Sequence, residues 1–193
     1  MATRSDLAQE ILDTALGLAG EDGWDRVRLH NVADRLDIPL QRIHEIYPDL
    51  DAVGNALFAR ANAAMLAAGD AAGYTDLPAS ERLFLAIAAW LRVLEPHRPA
   101  VKAMLRYKAQ PAHVHHQAAL VVGLSRTVQW LREAARLDAV GRQSQVEEVG
   151  LSALMVATLI YWLFDRSEDQ AKTRAFVQRR LARADRLMSA LFR

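Results

Sequence analysis

Gln41, Arg42 and His44 fall within four residues of one another in the stretch VADRLDIPLQRIHEIYPDLDAV, residues 32–53. A side-chain amide can bond an adenine edge at two points, and a guanidinium can do the same to guanine. If residues 39–46 form a short helix, Ile43, Ile46 and the following Tyr47 share its inward face. Leu40, Gln41, Arg42, His44 and Glu45 are then left facing outward. Such a surface suits double-stranded DNA, with Arg28 and Arg4 as further cations. The charge opposes it. The stretch holds five acids (Asp34, Asp37, Glu45, Asp49, Asp51) against Arg35 and Arg42. Residues 1–50 carry five arginines and ten acids, a net −5, against +6 for the remainder. Phosphate neutralisation supplies most non-specific DNA affinity, so DNA binding depends on whether the arginines line one face and the acids another.

Other reactive residues are sparse. His113, His115 and His116 cluster, and zinc would also want a carboxylate or a further histidine, which no neighbour in sequence supplies. The expectation is a solvated helix start and no metal. Glu147 and Glu148 are adjacent and point apart on a helix, so they do not make an acid–base pair. There is no G-x-S-x-G, phosphate-cradling loop, Rossmann glycine pattern or HExxH, and no cysteine. The sequence implies neither an enzyme nor a cofactor. Trp90, Met104, Tyr107, Trp130, Met155, Tyr161 and Trp162 are large, adaptable side chains that suit either a pocket for a hydrophobic ligand or an ordinary core.

The elements that would position these residues are all helical. Hydrophobic residues make up 52% of 193, and they recur at helical spacing with no period-2 alternation. Leu7, Ile11, Leu12, Ala15, Leu18 and Ala19 form a first stripe, with Ser5 able to cap it and Gly20 and Gly23 to end it. Helices are expected over about 28–36, 39–46 and 50–69. Asp37 takes the turn position that favours a left-handed backbone, and Pro39 opens the next helix. GDAAGYTDLP is the clearest break, so the expected organisation is a head over 1–50, a linking helix over 51–70 and a larger helical domain over 71–193. In that domain Ser80 can cap a helix and Pro99 can open another. The run GLSALMVATLIYWLF (150–164) is shorter than the roughly 20 residues of a bilayer span and reads as a buried or interface helix. Ser167 with Gln170 makes a capping box for the last helix. About nine helices and no sheet are expected. No leader segment is visible in MATRSDLAQEIL, and a cytoplasmic location is expected.

The order of elements over residues 5–70 resembles the TetR family of bacterial transcriptional regulators. Val32–Ala33 match that family's Ile-Ala pair, and Ile38, Ile43 and Tyr47 match its apolar positions. Several polar positions depart from it. Arg28 stands for the capping Thr, Asp37 for Gly, Pro39 for Ser and Gln41 for a small residue. His44 stands for Tyr and Leu50 for Lys, both phosphate contacts in the family. The resemblance implies a homodimer that reads DNA through Arg28, Leu40, Gln41, Arg42 and His44 and carries a C-terminal pocket for a hydrophobic ligand.

The C-terminal half also resembles lipid-binding accessory proteins of ubiquinone biosynthesis, which share the TetR fold without relying on DNA binding. Asp165, Ser167, Asp169, Thr173, Phe176 and Arg180 carry that likeness. Val177, Leu181, Ala184, Met188 and Leu191 make a seam on the last helix, ringed by Arg179, Arg180, Arg183 and Arg186. With Leu151 and Leu154 the seam suits a two-fold four-helix interface. The alternative use of a basic amphipathic helix is to lie on an anionic membrane surface.

Overall fold

The computed structural model describes residues 3–109 and 114–192. Among them are nine α-helices, with short 3₁₀ turns between several, and no strand. The helices are α1 (Arg4–Asp22), α2 (Leu29–Leu36), α3 (Leu40–His44), α4 (Leu50–Ala67) and α5 (Ala79–Leu94). They continue as α6 (Arg98–Lys108), α7 (Val114–Ala134), α8 (Gly141–Phe164) and α9 (Ala171–Leu191). The all-helical expectation holds. The three histidines His113, His115 and His116 lie outside the residues whose side chains are described.

The chain divides into two compact units, Met1–Ala61 with Val93–Val114, and Asn62–Arg92 with His115–Arg193. This division falls at 61/62, 92/93 and 114/115, and not at the break read from the sequence near residue 70. GDAAGYTDLP lies inside the second unit and is pinned there. Buried Tyr74 donates to the Arg82 carbonyl at 3.0 Å. The Arg82 guanidinium donates to the carbonyls of Leu77 at 2.9 Å and Ala135 at 2.8 Å. A loop rich in Gly and Asp reads as a linker, but tertiary hydrogen bonds fix this one.

In the first unit, α1 starts from a capping box in which Asp6 N–H donates to Thr3 Oγ1 and Thr3 N–H donates to Asp6 Oδ2. Thr3 takes the role expected of Ser5, which lies inside the helix. Ile11, Leu12, Ala15, Leu18 and Ala19 are buried as their spacing requires, with Val32, Ala33 and Ile43 packed into the same core. The α2–α3 turn is made by Asp37 in the left-handed region, φ 52° and ψ 46°. Ile38 N–H donates back to the Ala33 carbonyl, the long bond of a Schellman closure. The short α3 begins and ends inside its expected limits. α6 packs on α1 and on the turn carrying Trp24, and belongs to this unit rather than to the C-terminal domain. Gly54 marks the closest approach there, since a Cβ on it would lie 3.3 Å from the Trp24 ring and 3.4 Å from Met104 Sδ.

The second unit buries Leu83, Ile87, Trp90, Val128, Leu131, Leu151, Met155, Trp162, Val177 and Leu181. Ser80, expected as a cap, lies inside α5. The expected Ser167–Gln170 capping box is not formed. Asp169 and Gln170 both take positive φ, and Ser167 Oγ instead accepts from Lys172 N–H at 3.0 Å. By length and composition α8, at 24 residues, is long and apolar enough to cross a membrane, longer than the apolar run alone indicated. One of its faces (Leu151, Met155, Thr158, Trp162) is buried within the unit.

Candidate nucleic-acid surface and apolar groove

On the first unit, α3 turns Ile43 fully inward, and Tyr47 donates from its hydroxyl to the Ala8 carbonyl at 3.2 Å. With the helix anchored on that side, Leu40, Gln41, Arg42 and His44 are all exposed. Four of the five residues singled out for DNA therefore share one exposed segment. Arg28 differs. It sits at the N-cap of α2, and its guanidinium donates to the carbonyls of Asp25 at 3.0 Å and Val27 at 2.8 Å. It closes the preceding turn, a role that a charged side chain at an N-cap position does not advertise in sequence.

The cations of this unit are largely met by its acids. Arg35 bonds both oxygens of Glu21, at 3.1 and 3.2 Å. Arg60 meets Asp13 at 2.7 Å and Arg106 meets Asp25 at 2.5 Å. Arg42 meets Glu45 at 2.6 Å, and Arg4 donates to the Glu45 carbonyl at 2.9 Å. Arg4, Arg42, Glu45 and Ile46 line one cleft.

On the second unit, an open groove of about 440 Å³ runs between the start of α5, residues 146–157 of α8 and residues 176–188 of α9. Leu83, Leu137, Leu151, Leu154, Phe176, Leu181 and Met188 supply its walls, with Ser80, Glu147, Arg180 and Asp185 as the polar lining. None of the seven residues proposed for a pocket lines this groove. Trp90, Met155 and Trp162 are buried core of the same unit, whereas Trp130 and Tyr161 are partly exposed. Trp90 donates from its indole to Asn62 Oδ1 at 2.8 Å. Met104 is buried and Tyr107 exposed in the other unit.

The residues expected in the seam differ in exposure. Leu151, Val177 and Leu181 are buried inside their own unit, so they hold α8 and α9 together within one chain. Leu154 and Met188 are half-buried, and Ala184 and Leu191 are exposed. Five of the seven (Leu151, Leu154, Leu181, Ala184, Met188) line the groove. An exposed apolar row runs along α8 through Val146, Val149, Ala153, Val156 and Ile160, and its Val146 and Ala153 also edge the groove.

Where α8 meets α9, the residues of the second resemblance form one corner. Asp165, 5% exposed, accepts from Ser167 N–H at 2.8 Å and Oγ at 2.6 Å, and from Thr173 N–H at 2.8 Å and Oγ1 at 2.6 Å. Burial on its own raises this carboxyl's pKa. The bonds from Ser167 and Thr173 outweigh that and hold it far below the usual carboxylate range. One turn on, Phe176 stacks on Tyr161 with centroids 4.8 Å apart, and Arg180 lies 5.2 Å over the Phe176 ring.

The whole chain is similar to the TetR transcriptional regulator from Nitrosomonas europaea ATCC 19718, at 37% identity and a TM-score of 0.82, covering 93% of this chain and 98% of that one. The chain belongs to the TetR family. Two further solved structures share the fold at 16% identity. One is a TetR regulator from Rhodococcus sp. RHA1, with a TM-score of 0.63 over 96% of each chain. The other is PfmR from Thermus thermophilus, with a TM-score of 0.54 over 89% of this chain and 97% of that one. The COQ9 family model matches residues 149–188 of this TetR-family chain, the α8–α9 corner just described. No curated protein matches the sequence. Among the described residues no cluster of His, Asp and Glu is arranged to hold a metal.

Proposed function

We propose that this TetR-family protein is a cytoplasmic, non-enzymatic transcriptional regulator that binds double-stranded DNA as a homodimer and responds to a hydrophobic small ligand. One observation carries the reading. α2 and α3 meet through a left-handed Asp37, Ile43 is sunk in the core, and Leu40, Gln41, Arg42 and His44 stand together in solvent. A short helix anchored on one side and exposed on the other is what a major groove admits. Val149, Val156 and Ile160 of the exposed row on α8 are the proposed contact between protomers, and the adjoining α5–α8–α9 groove is the proposed ligand seat. Fluorescence anisotropy with the DNA upstream of its own gene, at low salt, tests the reading. Binding tighter than to a random duplex is expected; equal binding to both overturns it.

A second reading is favoured by the COQ9 match over 149–188 and by the pairing of Arg42 with Glu45. On it, the chain holds a lipid or isoprenoid in the same groove and does not read DNA. Native mass spectrometry after gentle purification separates the two. A co-purified lipid in a chain that ignores its upstream DNA selects the second reading. Association with anionic vesicles would place α9 at a membrane surface; the α8 row, which a dimer would cover, favours self-association instead.

A further inference from the structure

We infer that Arg4 and Arg42 form a seat for one DNA phosphodiester, and that Glu45 is a competitor built into that seat. The inference rests on the DNA-binding reading and deepens it. Arg4 comes from the first residue of α1 and Arg42 from α3, yet both converge on Glu45. Arg42 Nη1 donates to the Glu45 carboxylate at 2.6 Å, and Arg4 Nη2 donates to the Glu45 backbone carbonyl at 2.9 Å. Gln41 Nε2 points to the other carboxylate oxygen at 3.5 Å. Two guanidiniums facing one cleft match the two non-bridging oxygens of a phosphodiester. Neighbouring cations are otherwise engaged, Arg35 by both oxygens of Glu21 and Arg28 by two carbonyls.

Glu45 occupies the place the phosphate needs. The side chains of Arg42 and Glu45 are 55% and 44% exposed, so the pair is weak enough to be exchanged. Once Arg42 turns to a phosphate, the carboxylate remains beside a second negative charge. Glu45 therefore lowers affinity twice, by holding Arg42 and by repelling the backbone, while leaving the fold untouched.

The test titrates the full-length chain against a labelled random-sequence duplex, from low to physiological salt. Glu45→Gln is expected to tighten binding about three- to tenfold at low salt and to steepen the salt dependence by about one released counterion. In an Arg42→Ala background the same substitution is expected to bring no gain, because the two effects are coupled. Asp34→Asn removes an exposed acid from α2 and serves as the control for net charge; a gain equal to that of Glu45→Gln overturns the seat. Glu45→Gln binding DNA where the unaltered chain does not supports it. An unaltered chain that binds, with Glu45→Gln unchanged, overturns this inference alone. Neither protein binding any duplex overturns it together with the DNA-binding reading. Circular dichroism is expected to give the same melting temperature for both proteins.

Discussion

Asp165, the residue that ends α8, ties that helix to α9 by accepting donors from the connecting segment and from the first turn of α9. The Thr173 N–H, inside the first turn of α9, has no intrahelical partner, and the Asp165 carboxylate meets it together with the Thr173 hydroxyl. Ser167 bonds the other oxygen. Asp165→Asn keeps the shape but turns an amide N–H₂ toward donors, leaving buried groups unmet. The expected cost at neutral pH is about 2 kcal/mol in urea denaturation. The pH dependence has a definite sign. The folded carboxyl titrates below its unfolded value, so its contribution is complete above the ordinary carboxylate range and fades as pH falls through and below it. The gap between the unaltered chain and Asp165→Asn should therefore narrow in acid; a gap that is constant with pH refutes the role. Sequence marks Asp165, Ser167 and Thr173 through a family likeness, but it does not say that they serve the backbone. The capping box read from Ser167 and Gln170 uses the right kind of chemistry on the wrong acceptor, because the Asp165 carboxylate, two residues before Ser167, takes the backbone N–H that Gln170 was expected to meet.

Element boundaries and faces are legible in the sequence to different degrees, for reasons that follow from amphipathicity. α1 has one apolar stripe and a polar remainder, so its buried residues follow from spacing. The α2–turn–α3 unit is equally readable, because the turn at Asp37 and the apolar Ile43 constrain the same geometry from two sides. α8 is apolar almost all round, and a helix without a polar face does not reveal which side turns inward. That is why spacing alone puts Leu151 in an intermolecular seam although it is internal, while Val149, Val156 and Ile160 are the exposed ones. Long-range pairs are less visible still. Lys108, at the end of α6 and 4% exposed, meets Asp51 Oδ1 at 2.5 Å and Asn55 Oδ1 at 3.0 Å near the start of α4. Nothing in the local pattern of α6 calls for a buried lysine. The contact predicts how α4 and α6 are tied. Asp51→Ala strands a buried ammonium and should destabilise the unit by about 3 kcal/mol, while adding Lys108→Met should recover most of the loss, since an apolar side chain of similar length needs no counter-charge. Guanidinium unfolding of the two single variants and the double variant checks this; additive losses in the double would show that the pair is not the tie between the helices.

For the whole molecule the decisive quantity is how many copies act together. Val146, Val149, Ala153, Val156 and Ile160 alternate by three and four residues along α8, the spacing of a helix seam that meets another helix at a shallow angle. Val149 is 71% exposed and Ile160 55%, so the row is solvent-facing in a single chain. Burying each such side chain is worth about 1 to 2 kcal/mol. The proposed dimer is two-fold, so any change in the row is felt twice, once from each protomer. Val149→Glu or Ile160→Glu should therefore weaken association by about 30- to 700-fold, with two desolvated carboxylates per interface at on the order of 1 to 2 kcal/mol each. Sedimentation velocity should show a dimer for the unaltered chain and a monomer for either variant at the same concentration. Circular dichroism should be unchanged, because neither side chain belongs to the core that holds α8 to α9. The DNA titration adds a second reading of the same event. Two heads on one duplex release about twice the counterions of one, so a monomeric variant should lose about half of the salt dependence along with its affinity. A variant that becomes monomeric yet keeps the full salt dependence would show that a single head carries all the phosphate contacts, and the two-fold arrangement on DNA would have to be abandoned.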